Sequence, residues 1–143
     1  MTVTYPQGFM ASGVVAGLKS SGKRDMALVV NLGPLDSAAA VFTSNRAQAN
    51  PIIWSKEVLK DNQVTAIVLN SGGANCFTGA QGFQTTHATA EAVASQLDLS
   101  SGDVVVCSTG LIGEQLPWDK LEAGIGSLVS ELSADGGTAA AEA

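Results

Sequence analysis

The sequence predicts an α/β fold, and three observations carry that expectation. Continuous apolar runs closed by turn residues recur along the 143 residues, at Met26–Val30, Val64–Leu69 and Val104–Cys107. Between the last two runs lies a helical stripe in which Ala90, Val93, Ala94 and Leu97 fall at i, i+3, i+4 and i+7. Strand, helix, strand in that order is the crossover unit of an α/β layer, right-handed if the strands are parallel.

The elements follow in order. The stretch to about Gly22 is rich in Gly, Ser and Val without a period, which suits short strands or extended loops. Met26–Val30 then reads as a buried strand stopped by Asn31-Leu32-Gly33-Pro34. Ser37–Thr43 repeats the apolar pattern, so the two runs are expected to pair as an antiparallel hairpin across Gly33–Asp36. Ile52-Ile53-Trp54 reads as short and extended, with Ser55 capping a brief helix through Lys60, ended by Asp61-Asn62. The strand Val64–Leu69 delivers the chain into a loop, Asn70–Gly79, followed by a helix at about Thr85–Leu97. After the strand Val104–Cys107 comes Ser108-Thr109-Gly110. Pro117 suits the first turn of a helix striped by Leu121, Ile125, Leu128, Val129 and Leu132, which ends before Gly136-Gly137. Thr138–Ala143 reads as the start of a further helix. With no repeat and no Pro- or Ser-rich linker, residues 1–143 are expected to form one α/β unit.

Composition narrows the function classes. With 45% apolar and 14% charged residues, the chain can offset its conformational entropy, so disorder is excluded for most of it. Thirteen acidic against seven basic side chains give a net charge of −6, and no stretch gathers the Lys and Arg that a phosphate backbone requires. Nucleic acid is therefore not an expected partner. The apolar runs fall far short of the ~20 residues that span a bilayer, and the N-terminus lacks a basic segment followed by an apolar one. A soluble, cytoplasmic protein is expected. Cys76 and Cys107 lie far apart, and His87 alone does not complete a zinc site with them, so reduced thiols and no metal are the default.

Several segments invite a chemical reading. Gly17–Lys23 matches the opening of a phosphate-binding loop, but Arg24 stands where magnesium chemistry needs Ser or Thr and a strand follows where a helix belongs. A solvated basic turn is the better reading. Asn70–Gly79 holds glycines and asparagines directly after a buried strand, a place where α/β proteins put binding groups. Two readings of it stand: a ligand loop, whose amides bond a carboxylate, and a tight loop satisfied by its own Asn side chains. Ser108-Thr109-Gly110, at the end of the other strand, offers N–H groups, hydroxyls and a glycine that admits close approach, the kit for an oxyanion hole. His87, with Glu91 four residues on, reads as a helix-surface histidine. Cys76 lacks a neighbouring base to lower its pKa, and Thr2 would be an N-terminal nucleophile only if Met1 were removed.

Four blocks taken together make the chain similar to a known family. They are Ala16-Gly17-Leu18-Lys19-Ser20-Ser21-Gly22 leading into Asp25-Met26-Ala27-Leu28; Ala39-Ala40-Val41-Phe42-Thr43-Ser44-Asn45; Asn70-Ser71-Gly72-Gly73-Ala74-Asn75; and Cys107-Ser108-Thr109-Gly110-Leu111-Ile112-Gly113 with Leu116-Pro117. In this order they resemble the N-terminal, or α, chain of the bifunctional ornithine acetyltransferases of arginine biosynthesis, also called glutamate N-acetyltransferases. The resemblance implies a layered α/β/β/α-type sandwich of intertwined chains in an (αβ)2 or higher oligomer. It implies an acyltransferase that moves an acetyl group from N-acetylornithine to glutamate by a ping-pong route, through an acetyl ester on a threonine that autocatalytic cleavage exposes at the start of a β chain. No cofactor is implied, although some members take acetyl-CoA as a co-substrate. The family's oxyanion hole, the Thr-Gly of its C-S-T-G block, maps onto Thr109 and Gly110.

Three departures qualify the match. Gly73 stands where many members have Asn. The order Ala74-Asn75-Cys76-Phe77-Thr78-Gly79 moves the cysteine one place from the usual Ala-Asn-Ala-Cys-Thr-Gly, which makes a structural thiol the expectation. The family's succession of a Met-Thr-Thr-Asp segment, a Lys-Gly stretch and an Ala-Thr cleavage bond after this point is not found in the residues up to Ala143. The expectation is thus a portion of an α chain that is inactive alone and lends its oxyanion hole to a nucleophile on another segment. Two rivals are a non-catalytic α/β module that binds an anionic metabolite through Asn70–Gly79, and a self-processing, aminopeptidase-like hydrolase of similar fold.

Overall fold

A computed structural model describes residues 1–143. Its centre is one four-stranded sheet in sequence order, β1 (Phe9–Val14), β2 (Met26–Asn31), β3 (Ala66–Gly73) and β4 (Val104–Leu111). β1, β2 and β3 pair antiparallel, whereas β3 and β4 are parallel and joined by helix α2 (Gly79–Leu97). The crossover expected from sequence is therefore present in an otherwise antiparallel sheet, which makes the α/β layer mixed.

Strand alternation sorts the side chains between two faces. Met26, Leu28, Val30, Ala66, Val68, Val104 and Val106 join Val14 on one face, under Ala90, Val93 and Ala94 of α2 and Leu121, Ile125 and Leu128 of α3 (Trp118–Ser130). Ile125 and Leu128 are wholly buried, and each such side chain contributes roughly 1.5–3 kcal/mol by leaving water. The opposite face is covered at the β1–β2 side by the short helix α4 (Gly137–Glu142). The chain thus forms one mixed sheet with a helical layer of α2 and α3 on one face and α4 on part of the other.

Helix α1 (Asn50–Val58) closes the β4 edge. Trp54 Nε1 donates to the Val104 carbonyl at 2.9 Å; Ser55 Oγ donates to the Val106 carbonyl at 2.9 Å and accepts the Val106 N–H at 3.3 Å. Side chains take the place of a fifth strand there, which blunts an edge that would otherwise be open to pairing.

Four sequence expectations need correction. Ser37–Thr43 forms no hairpin with β2: β1 and β3 already occupy both edges of β2, and only an isolated bridge links Ser37 to Gln63. Ile52–Trp54 is helical, since α1 begins at Asn50 with Pro51 in its first turn; Ser55 is a buried interior residue and caps nothing. Helix α2 starts six residues earlier than Thr85, at Gly79. Both β3 and β4 run on past their apolar cores, to Gly73 and Leu111, so the first part of the expected Asn70–Gly79 loop and all of Ser108-Thr109-Gly110 are strand. No helix is long and apolar enough to cross a membrane.

Candidate active site at the ends of β3 and β4

The polar extensions of the two parallel strands lie side by side, Asn70 opposite Ser108, Ser71 opposite Thr109 and Gly72 opposite Gly110. Strand ends beside a parallel crossover are where α/β sheets place their chemistry. Asn70 is buried, and its side chain ties the two together: Oδ1 accepts the Ser108 hydroxyl at 2.6 Å, and Nδ2 donates to the Gly73 carbonyl at 3.1 Å.

Glycine is required at the crossing point. Gly110 has φ +129°, and a Cβ there would lie 2.6 Å from the Gly72 carbonyl carbon and from the Gly73 nitrogen. Gly72, at φ +113°, is roofed in turn by Leu18, whose carbonyl oxygen would meet an added Cβ at 3.1 Å. That roof is held by Asp25, a fully buried residue whose carboxylate accepts the Ala16 N–H at 2.6 Å and the Lys19 N–H at 2.9 Å. The Asp25 carbonyl accepts the Ser71 N–H at 2.9 Å. The Lys19 N–H, at the centre of the segment that resembles a phosphate-binding loop, is thus taken by the chain's own carboxylate, in keeping with a structural turn over Gly17–Lys23.

Beyond the strands, Ala74 N–H donates to Leu111 O and Gly113 N–H to Cys76 O, both at 2.8 Å, so the two exits run together. Asn75 then anchors the loop. Its Nδ2 donates to Gly82 O and to Thr86 Oγ1, each at 2.8 Å, and its Oδ1 accepts from Thr78 Oγ1 at 2.6 Å and from Asn50 Nδ2 at 3.4 Å. Asn50 also donates to Thr78 Oγ1 at 2.8 Å, and Gln115 Nε2 donates to the Thr78 carbonyl at 2.7 Å. Of the two readings of Asn70–Gly79, the tight loop held by its own asparagines is the one these bonds favour: the Asn75 amide is fully spent internally, and Asn70 holds Ser108 and Gly73.

What remains presented is the rim. Thr109, Gly110, Leu111 and Ile112 are exposed, although the backbone beneath them is fixed from both strands. Beside them a cavity of about 400 Å³ opens on the sheet face away from α2 and α3, walled by Ala27, Leu69, Cys107, Thr109 and Ala140. Cys107 is an exposed residue, yet desolvation of its thiol by these apolar walls raises its pKa above the ordinary value, which disfavours the nucleophilic thiolate. Both cysteines are free.

The other candidates lie elsewhere in function. His87 is half exposed on α2, edge-on to Trp54 at 4.9 Å between ring centroids, with Nε2 3.7 Å from Glu91 Oε1. The Thr2 hydroxyl lies 3.3 Å from that of Thr4, against Gly137 at the start of α4. Asn50, Asp25 and Gln115 carry much of the local order, and sequence reading assigned none of them a role. For Asn50 a signal existed: Asn followed by Pro marks the entry to a helix.

The arrangement recurs in known proteins. The curated relative "Arginine biosynthesis bifunctional protein ArgJ" from Streptomyces coelicolor is 58% identical over 141 residues, 99% of this chain and 37% of that protein. Its namesake from Thermobifida fusca is 57% identical over all of this chain, again 37% of its own length. The chain thus spans little more than a third of these relatives. Among solved structures, an ornithine acetyltransferase complexed with ornithine from Mycobacterium tuberculosis superposes with a TM-score of 0.97 at 51% identity, covering 99% of this chain and 77% of that one. The arginine biosynthesis bifunctional protein from Bacillus halodurans gives 0.89 at 32%, with 99% and 74% covered. The ArgJ family matches residues 10–143. With sheet, strand ends and sequence in agreement along almost its whole length, the chain belongs to the ArgJ family.

Proposed function

We propose that this chain forms part of an ornithine acetyltransferase and supplies the oxyanion hole, from Thr109 and Gly110, to a threonine nucleophile carried on another segment of the protein. The observation that carries the reading is the exposed Thr109-Gly110 pair, held on a strand end whose backbone is fixed at Gly110 by contact with Gly72 and Gly73. An oxyanion hole needs donors that do not reorganise when charge develops on the carbonyl oxygen.

In the first half-reaction the threonine hydroxyl attacks the acetyl carbonyl of N-acetylornithine. The C–N bond breaks, the amine leaves as ornithine with the hydroxyl proton, and an acetyl ester remains. Glutamate's amine then attacks the ester carbon, giving N-acetylglutamate and restoring the hydroxyl. Each half passes through a tetrahedral oxyanion, which Thr109 and Gly110 would stabilise. No cofactor takes part; acetyl-CoA would enter only as a substitute acetyl donor. The β chain of the same precursor supplies the nucleophile and completes an (αβ)2 or higher assembly. The internal saturation of Asn75, whose amide donates twice and accepts twice within the chain, argues against a binding module built on that amide.

The test is product analysis with the full-length protein. N-acetylglutamate should form only when N-acetylornithine and glutamate are both present. Release of free acetate at the same rate with or without glutamate would identify a hydrolase instead. Gly110→Val, which forces the strand ends apart, should lower turnover at least ~100-fold, the scale of losing one oxyanion donor. Unchanged turnover would remove Thr109-Gly110 from the mechanism.

A further inference from the structure

We infer that Asn70 and Ser108 act together as a positioning pair, setting the orientation of the Thr109-Gly110 backbone without touching substrate themselves. This deepens the reading above and rests on it.

The geometry is a cross-strand clamp. Asn70 and Ser108 are register partners on the parallel strands β3 and β4, and Ser108 is the residue immediately before the proposed donors. Two residues on in each strand, the backbone leaves the β region: Gly72 and Gly110 both have positive φ, so the regular ladder does not by itself dictate where their peptide groups point. Asn70 bridges that irregularity from both sides. Its Oδ1 holds the Ser108 hydroxyl at 2.6 Å, and its Nδ2 holds the Gly73 carbonyl at 3.1 Å, beyond the glycine that packs against Gly110.

The side chain therefore has a geometric task, one bond on each of its polar atoms reaching to either side of the proposed donors. A buried Asn could be retained for packing alone, but its two bonds reach the residue preceding Thr109 and the residue packed against Gly110, and nothing else. Only an amide can accept from the one and donate to the other in this place; a carboxylate or a methyl group makes at most one of the two bonds.

Loss of the clamp should misplace the donors, and a small displacement of a preorganised group can cost ~100-fold in rate. The experiment compares the full-length enzyme with Asn70→Ala, Ser108→Ala and the double variant. It measures the rate of acetyl-enzyme formation from N-acetylornithine per acetylatable site, with kcat and KM for the complete reaction. Asn70→Ala should lower the rate of acetylation and kcat by roughly 10- to 100-fold with KM changed less than about threefold, because ground-state binding is untouched. Ser108→Ala should lower kcat in the same direction, and the double variant should be no slower than Asn70→Ala, since the one bond that Ser108→Ala removes is already lost in Asn70→Ala. Should Asn70→Ala fail to fold, Ser108→Ala decides, because Ser108 is only partly buried.

Folded variants with wild-type kcat per site would overturn the inference. So would a loss that is fully additive in the double variant, or one expressed in KM. Wild-type protein that fails to transfer acetyl groups at all would instead overturn the functional reading, and the positioning role with it.

Discussion

The Asn75 side chain makes four hydrogen bonds, which use both of its donors and both of its lone pairs within the chain. Its amide joins β3's exit to Gly82 and Thr86 of α2, while its oxygen gathers Thr78 and Asn50. Truncating a buried group of this kind strands several partners, each unsatisfied one costing about 1–3 kcal/mol. Asn75→Ala in the full-length protein is therefore expected to lower the denaturant midpoint by the equivalent of at least ~2 kcal/mol, and an unaltered midpoint would show that the network is dispensable. Cys107 behaves differently because desolvation raises its pKa. The folded state then holds the thiol proton more tightly than the unfolded state, so the unfolded state ionises first as pH rises. Any stability due to this group is complete below the unfolded thiol pKa and falls away between that value and the higher folded one. Alkylation by iodoacetamide at mildly alkaline pH should be slower at Cys107 in the folded protein than in denaturant; a faster folded-state reaction would contradict the desolvated thiol.

At the scale of elements, what was legible in the sequence and what was not have physical reasons. Apolar runs marked three strands because burial of consecutive residues leaves a continuous signature, as at Met26–Leu28 and Val104–Val106. Their polar continuations gave no such signal: Asn70–Gly73 and Ser108–Leu111 are strand because each pairs with the other, a non-local fact invisible to local composition. Ala38–Phe42 misled for the converse reason, since its apolar residues point outward, Val41 at 99% exposure. The start of α2 was missed because Gly79 and Gly82 are poor helix formers, and the Asn75 network overrides their propensity. Ser55 read as a cap, whereas its hydroxyl serves the open edge of β4. Ser55→Ala should destabilise the protein by about 1–2 kcal/mol, measured as a lower denaturant midpoint, by leaving Val106 without its edge partner. No change would mean that α1 holds the edge through Trp54 alone.

On the scale of the whole molecule, the division of labour is between a rigid support and a presented rim. One face of the sheet is sealed under α2 and α3, α1 closes the β4 edge, and Asp25 and Asn75 lock the turns around the ends of β3 and β4. Thr109 and Gly110 emerge on that support, exposed but fixed, as electrostatic preorganisation demands. Of the candidate site, the place of Thr109-Gly110 by the end of the apolar strand was readable; the packing of Gly110 on Gly72 and the bond from Ser108 to Asn70 were not, because sequence does not reveal which strand lies alongside. Time-resolved intact mass of the full-length protein mixed with N-acetylornithine tests the proposal most directly, in wild type beside Gly110→Val, which displaces the strand end that carries the donors. A threonine-starting chain that gains one acetyl group in wild type, and gains it at least ~100-fold more slowly in the variant, is the predicted result. Equal acetylation rates in the two proteins, or no acetylated chain in the wild type, would contradict the role assigned to this strand end.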